Sequence, residues 1–488
     1  MTKPALWMGT ALLLASCAES HPRPPTDTEP IDGDVRADAG PVCPPEACDG
    51  RDDDCDGVVD EEVTCSLPGA SSSCVGARCI LTACALGFAD CDGASPNGCE
   101  VVTSTDRENC GACGAVCGLT ETCEASTCVR EQVVDVRIGH VFTCALLGSG
   151  RVLCWGFVGT TDRFGPTPGP FPVQSAAPFE VTGFPDPVVE LAESTLAISA
   201  LTSAGEVWSW GANDIGELGT GVVGPAVVAP VRTPLPEPVS SLGSTGSAVG
   251  AIAGSTVYVW GYSGADRPRF TTARAVTLPA PALALAGAGA GYLATLGDGT
   301  CLTFGELPNG MRGELGDRSW RAPEPYSLPG RAVSASCGGP GCCALLESTE
   351  VACWGSNQHG ELRSGAIDPI VWDTVFHAPS LVVGLSGVRA LRIMGLHPHA
   401  VCALRDEDVL CWGGLGSVFS GDDAPSPVPQ LGATGPIVNL FGAPFVRHAC
   451  LLLPGSRLRC WGDNEAGQLG IGASSERMTE PVPVLGFE

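Results

Sequence analysis

Seven times the chain writes an apolar run, a turn and a second apolar run that closes on Trp-Gly or Phe-Gly. The phrases are "CALLGSGRVLCWG", "SALTSAGEVWSWG", "GAIAGSTVYVWG", "LATLGDGTCLTFG", "CALLESTEVACWG", "CALRDEDVLCWG" and "CLLLPGSRLRCWG". Their aromatic residues are Trp155, Trp210, Trp260, Phe304, Trp354, Trp412 and Trp461, spaced 44 to 58 residues apart. A unit of that length has room for several short strands. Gly 65 and Pro 41, with few long apolar periodic runs, favour strands and turns over helices. One β-sheet unit cannot bury its own faces, so such units must stack in a ring or an array. The expected fold is all-β: a seven-bladed β-propeller, preceded by a small disulfide-rich, loop-dominated region.

A Gly-rich phrase follows three of the hairpins: "GANDIGELGTG", "GSNQHGELRSG" and "GDNEAGQLGIG". With the hairpins, these phrases resemble repeats of the regulator of chromosome condensation family, a seven-bladed propeller. The likeness covers residues 131–488 and is specific in units two, five and seven; the other four keep the hairpin and lose most of the Asn-x-x-Gly-x-Leu-Gly phrase. The resemblance implies a monomeric propeller that binds other proteins. "EPVPVLGFE" at 480–488 matches the phrase that opens each later unit, and "VVDVRIGHVFTCAL" at 133–146 supplies the strand that should follow it. One blade is therefore expected to mix strands from both ends and so close the ring.

Aligning the hairpins places Cys144/Cys154, Cys343/Cys353, Cys402/Cys411 and Cys450/Cys460 at two equivalent positions. The other three units carry Ser199/Ser209, Gly250/Val259 and Leu293/Thr303 there. No unit has a single cysteine at these positions, and chance would give all-or-none occupancy in roughly 1% of arrangements. They are expected to be disulfides across antiparallel hairpins, where opposed residues lie close. Catalytic thiols would not be spread over four equivalent structural positions. Cys301, Cys337 and Cys342 remain, an odd number, so one is free or pairs with the N-terminal segment.

The 26 cysteines point to an oxidising compartment. "MTKPALWMGTALLLASC" has one Lys and a short apolar run, the form of a secretory signal, and its "LASC" ending resembles a bacterial lipobox. That resemblance implies cleavage before Cys17 and acylation of its sulfur. Residues 1–17 are then a lipoprotein signal peptide and 18–42, rich in Pro, Asp and Thr, a disordered linker. No later segment is apolar enough to span a membrane, so the lipid is the membrane attachment. The expected location is exported and lipid-anchored in the bacterial cell envelope, at the outer membrane or cell surface. A net charge of −28 argues against a nucleic-acid partner.

Residues 43–128 hold 14 cysteines, whose connectivity the sequence leaves open. Within 43–65, "CPPEACDGRDDDCDGVVDEEVTC", Asp52, Asp54 and Asp56 alternate, followed by Gly57 and Asp60. This spacing suits a loop wrapping Ca²⁺, although Val63 stands where an EF-hand has its bidentate Glu and Glu61 lies just before it. The stretch resembles Asp-rich metal-binding modules of bacterial surface proteins, and calcium is the expected cofactor, on Asp52, Asp54, Asp56, Asp60 and Glu61. Residues 66–130 form a second module, resembling Cys-rich modules of exported bacterial proteins. Its Cys110, Cys113 and Cys117 have metal-like spacing, but an oxidising compartment favours disulfides.

The remaining chemistry is sparse. His448 reads as structural, His397 and His399 as a weak metal pair, and the repeated tryptophans as packing residues. There is no nucleophile elbow, HExxH, P-loop or dinucleotide fingerprint. The sequence therefore favours a lipid-anchored extracytoplasmic binding protein over an enzyme, its propeller loops recognising a protein or glycan. A propeller-fold lyase or hydrolase acting on an extracellular substrate is the alternative.

Overall fold

The computed structural model describes residues 43–488 apart from 62, 64, 158–173, 247, 262–269, 289, 307–319, 339–340, 363–366, 369–376, 396–398, 418–423 and 430–435. The signal peptide, Cys17, the linker and His397 lie outside the described residues. Two compact units result: one from residues up to 66 with 71–82, the other from 67–70 with 83–488. In the first, Cys43–Cys55, Cys48–Cys74 and Cys65–Cys79 bridge the acidic loop and the hairpin that follows it.

The larger unit contains seven four-stranded antiparallel sheets, each made of consecutive strands. We number them blades 1 to 7: residues 133–181, 188–233, 241–277, 282–326, 332–381, 388–429 and 439–483. The described helical structure amounts to two short 3-10 turns, Ser95–Asn97 and Leu415–Ser417. Gly and Pro at the turns and alternating apolar residues in the strands dictate this outcome.

No blade mixes strands from the two ends, which corrects the expectation for ring closure. Blade 7 ends with its own outer strand, Ser475–Pro483, and blade 1 begins with its own inner strand, Val133–Ile138. The sequence repeat runs from outer strand to next inner strand, and that step crosses between blades. "EPVPVLG" and "VVDVRI" are thus spatial successors without being sheet neighbours. Side chains close the ring instead. Val136, Ile138, Leu153 and Trp155 of blade 1 share one core with Phe441, Cys450, Leu458 and Leu469 of blade 7 and with Val484 and Phe487. The Trp155 indole N–H donates to the Gln468 carbonyl at 2.9 Å.

The hairpin cysteines stand directly opposite one another, and Cys144–Cys154, Cys343–Cys353, Cys402–Cys411 and Cys450–Cys460 are bridged. Cys337–Cys342 adds a fifth bridge inside blade 5, leaving Cys301 as the free, buried thiol among the described residues. Blade 2 fills the same position with a hydroxyl chain. Ser199 Oγ meets Ser209 Oγ at 2.8 Å, Ser209 meets Thr233 Oγ1 at 2.9 Å, and Thr233 donates to the Leu218 carbonyl. Hydrogen bonding satisfies these buried groups where no staple exists. Replacing Cys144 and Cys154 together by Ser is therefore expected to leave the fold intact and cost at most about 2–3 kcal/mol, the contribution of so short a closed loop. A thermal unfolding curve superimposable on that of the parent would refute a stabilising role for the staple.

Of the second cysteine module, residues 67–70 and 83–130 belong to the same compact unit as the propeller, while 71–82 belong to the first unit. Its bridges are Cys84–Cys99, Cys91–Cys113, Cys110–Cys123 and Cys117–Cys128, so Cys110, Cys113 and Cys117 are all sulfur-bonded rather than metal thiolates. Leu119 packs against the blade 1–blade 7 core, and Thr120 Oγ1 donates to the Gly486 carbonyl at 2.6 Å.

Candidate functional site

Three places gather polar or repeated residues: the acidic loop, the seams between blades and the central channel. In the acidic loop, aspartates at alternate positions fold back on their own backbone. Asp52 accepts the N–H groups of Asp56 and Gly57, and Asp56 accepts that of Val58 at 2.9 Å. These turns draw Asp52, Asp54 and Asp56 together, with one carboxylate oxygen from each lying within 4.8 Å of the others. A second triad at the same spacing joins Asp54 to Glu61 and to Glu46. Local desolvation, opposed by the Asp56 amide and reinforced by repulsion from Asp56, Glu46 and Asp52, pushes the carboxyl of the exposed Asp54 above its ordinary value.

Asp60 does not join either triad. Its carboxylate accepts the N–H groups of Asp49 and Gly50, each at 3.0 Å, and holds the loop's entry. Glu46 takes part in its place, also accepting the N–H groups of Asp53, Asp54 and Asp60. Glu46 lies outside the aspartate spacing. The available sequence signal was its position between Cys43 and Cys48, because the Cys43–Cys55 bridge folds that stretch back on the loop. Both oxygens of Glu61 are shielded from water and accept no hydrogen bond among the described residues. Shielded carboxylate oxygens without donors, beside two further carboxylates, are a donor set suited to a hard cation.

The seams explain the Gly-rich phrase. In blades 2, 5 and 7 an Asn carbonyl oxygen accepts a backbone N–H five residues on: Asn213 from Leu218, Asn357 from Leu362 and Asn464 from Leu469. The closed loop then lies against the next blade's tryptophan. A Cβ on Gly470 would sit 2.8 Å from the Trp155 indole nitrogen, and one on Gly219 would sit 2.7 Å from the Trp260 ring. Both glycines also have positive φ, so close approach and backbone conformation each demand Gly. Trp412 donates to the Glu361 carbonyl at 2.7 Å in the corresponding place. The six tryptophans that close the hairpin phrases, Trp155, Trp210, Trp260, Trp354, Trp412 and Trp461, are fully buried, as packing residues must be.

His448 is buried in the blade 1–blade 7 seam. The Thr143 hydroxyl donates to the Gln468 carbonyl, so at 2.9 Å it accepts from Nε2–H of His448. Burial pushes the imidazole pKa down to about 3, leaving it neutral. His399 Nδ1 bonds the Gly395 carbonyl at 2.8 Å.

The innermost strands line a channel cavity of about 270 Å³. Arg137 reaches Asp135 at 2.7 Å and Glu193 at 3.6 Å. Burial opposes its charge, but those carboxylates hold its pKa above the ordinary value. Glu190 accepts the Ser241 hydroxyl and the Leu242 amide, and burial raises its pKa. Arg392 lines the same cavity, its pKa lowered by burial and by the charge of Arg137. No histidine lines the channel among the described residues.

The sequence profile of the regulator of chromosome condensation (RCC1) repeat matches residues 204–259, from the turn of the second hairpin through its Gly-rich phrase into the third hairpin. The RCC1 domain-containing protein RUG3, mitochondrial, of Arabidopsis thaliana is 29% identical over 310 residues, covering 59% of this chain and 68% of that protein. The E3 ubiquitin-protein ligase HERC2 of Homo sapiens is 29% identical over 273 residues, 51% of this chain and 5% of its own length. Among solved structures, Prp20p from Saccharomyces cerevisiae superposes with a TM-score of 0.56 at 19% identity, over 72% of this chain and 87% of that one. Prp20p has binding properties toward Gsp1p and histones. With seven four-stranded blades, the Asn-Gly-Leu-Gly seam and the matched repeat, the chain carries a regulator of chromosome condensation repeat and is similar to the propellers built from it.

Proposed function

We propose that this is a lipid-anchored, extracytoplasmic binding protein whose propeller recognises a protein partner. The observation that carries the reading is the build of the propeller: a ring whose repeated residues serve the seams and whose hairpins are stapled by disulfides. Such staples suit an oxidising compartment. The channel acids are engaged: Asp135 and Glu193 with Arg137, and Glu190 with Ser241 and Leu242. That supports binding over lyase or hydrolase chemistry. Protein binding by Prp20p supports a protein partner on the grounds of shared fold. Cys17 is the anchor in this proposal, and the charge of −28 keeps the partner from being nucleic acid. Cross-linking on intact cells is expected to capture a protein specifically on the parent chain, and metabolic palmitate labelling is expected to vanish with Cys17→Ser. Capture of nothing beyond glycan, or labelling that persists in the variant, would refute the corresponding half.

The acidic loop holds calcium in the same proposal, on Glu46, Asp54 and Glu61 with Asp52 and Asp56 beside them. Asp60 supports the loop rather than the ion. Calorimetric titration of the full chain is expected to show one Ca²⁺ bound, with the heat abolished in Asp54→Asn/Glu61→Gln and retained in Asp92→Asn, a substitution in the other cysteine module. Absence of heat at millimolar Ca²⁺ would sink it.

A further inference from the structure

The innermost strands carry a feature that neither the seams nor the channel uses. In blades 1, 2, 4, 5 and 6, pairing with the next strand skips one residue: Val134, Val189, Leu283, Val333 and Arg389. A bulge leaves such a residue outside the ladder and turns it from the sheet's packed faces. Val438 of blade 7 and Ser240 of blade 3 stand at the same position, just before the first paired residue. Five of the seven are aliphatic, and those five are 49–64% exposed. Single exposed valines are ordinary. Five at one position of a closed ring form a recurrent apolar rim.

The rim shares a face with the hairpin turns. Carbonyls of Gly150, Gly205, Gly254 and Thr349, all in those turns, accept the N–H groups of Val188, Val239, Ala282 and Val388. Each of these donors immediately precedes a rim residue. Around the rim, the turns of blades 4 to 6 carry Asp298, Glu347, Glu350, Asp406, Glu407 and Asp408. Nearby cations are fewer and partly committed: Arg331 pairs with Glu347 at 3.3 Å, and Arg389 donates to the carbonyls of Asp406 and Ile437. Inside the rim, Asp135 and Glu190 follow Val134 and Val189 and line the channel. On blades 4 to 6 this face therefore pairs the apolar ring with an acidic surround, Arg405 standing beside Asp406, while Arg151 and Arg457 stand at the turns of blades 1 and 7.

We propose that this face docks a cationic amphipathic segment of a protein partner. Its aliphatic side chains settle on Val134, Val189, Leu283, Val333 and Val438, and its Lys or Arg side chains meet the turn carboxylates. The inference rests on the protein-binding function proposed above and names the face and the chemistry of the partner. Charge complementarity selects the occupant, since an anionic membrane surface would repel a chain carrying −28.

The test is fluorescence anisotropy with the full chain and a labelled synthetic peptide of leucines at helical i, i+3, i+4 spacing, with lysines elsewhere. Binding is expected, and a Val189→Ser/Leu283→Ser/Val333→Ser variant, unchanged in charge, is expected to weaken it about tenfold or more. Asp406→Asn/Glu407→Gln/Asp408→Asn is expected to weaken it too and to flatten its salt dependence; it stands in should the first variant unfold. The proposal is overturned if both folded variants bind like the parent, or if the same peptide with Glu for Lys binds equally. It is also overturned if phosphatidylcholine vesicles recruit the chain while the lysine peptide does not. Cell-surface capture that is indifferent to the triple Ser variant would overturn this face and leave the binding function standing. Failure of capture with intact peptide binding would do the reverse.

Discussion

Acidification from pH 7 to pH 4.5 is expected to remove about 3 kcal/mol of stability through His448 alone. The buried imidazole has a folded pKa of about 3 against an unfolded value near 6.5. Between those values the unfolded chain binds the extra proton and the native seam cannot, so stability falls as pH falls through the window. Above pH 6.5 the contribution is constant. Urea midpoints for the parent and for His448→Gln, measured from pH 7.5 to 4.5, separate this effect from the carboxylates, which titrate in both proteins. The parent should lose the additional stability and the variant should not. Parallel curves would mean that the seam admits the imidazolium.

The second large effect is expected at Arg151, whose guanidinium uses all its donors. It meets Glu131 and Glu180 at 2.6 Å each, takes a further bond to Glu180 at 3.0 Å, and donates to the carbonyls of Leu119 and Glu121. The Glu131 side chain is 3% exposed. Arg151→Ala leaves that carboxylate buried without its cation and should cost about 3–5 kcal/mol. Because Leu119, Glu121 and Glu131 are contributed by the cysteine module and its junction, the same variant should expose residues 83–130 to proteolysis before the propeller unfolds. Adding Glu131→Gln should recover part of the loss. A chain that tolerates Arg151→Ala with an unchanged midpoint would show that the network contributes nothing net.

Much of this was legible in the sequence, and for identifiable reasons. The seven hairpins announce themselves because an antiparallel pair with a short turn is local: Cys144 and Cys154 are opposed by the same residues that specify the turn. All-or-none cysteine occupancy exposed the staples for the same reason. The Gly-rich phrase was readable as a motif but not as a contact. Its purpose, a loop closed by Asn464 and pressed on Trp155, joins residues more than 300 positions apart. Ring closure was misplaced because a repeat in sequence has no mark showing where one sheet stops and the next begins.

The acidic loop shows the same limit on a smaller scale. Alternating aspartates mark a turn-rich acidic segment, since Asp52 and Asp56 bond backbone groups a few residues away. Which carboxylates converge is decided by longer connections. Asp60 is drawn to the N–H groups of Asp49 and Gly50, and Glu46 is brought in beside Asp54 and Glu61. The apolar rim likewise lies beyond the sequence, because Val134 reads as one more strand valine until the strand register leaves it unpaired.

By itself, then, the sequence determined the number of blades, the hairpins, their staples and the acidic character of the N-terminal loop. These rest on local periodicity and on residues that meet across short turns. Tertiary structure alone decided the closure of the ring by side chains, the burial of His448 and Arg151, the placing of Glu46 beside Asp54 and Glu61 with Asp60 at the loop's entry, and the rim around the channel. Each of those depends on contacts between segments far apart in the chain, and only the packed fold brings such segments within reach of one another.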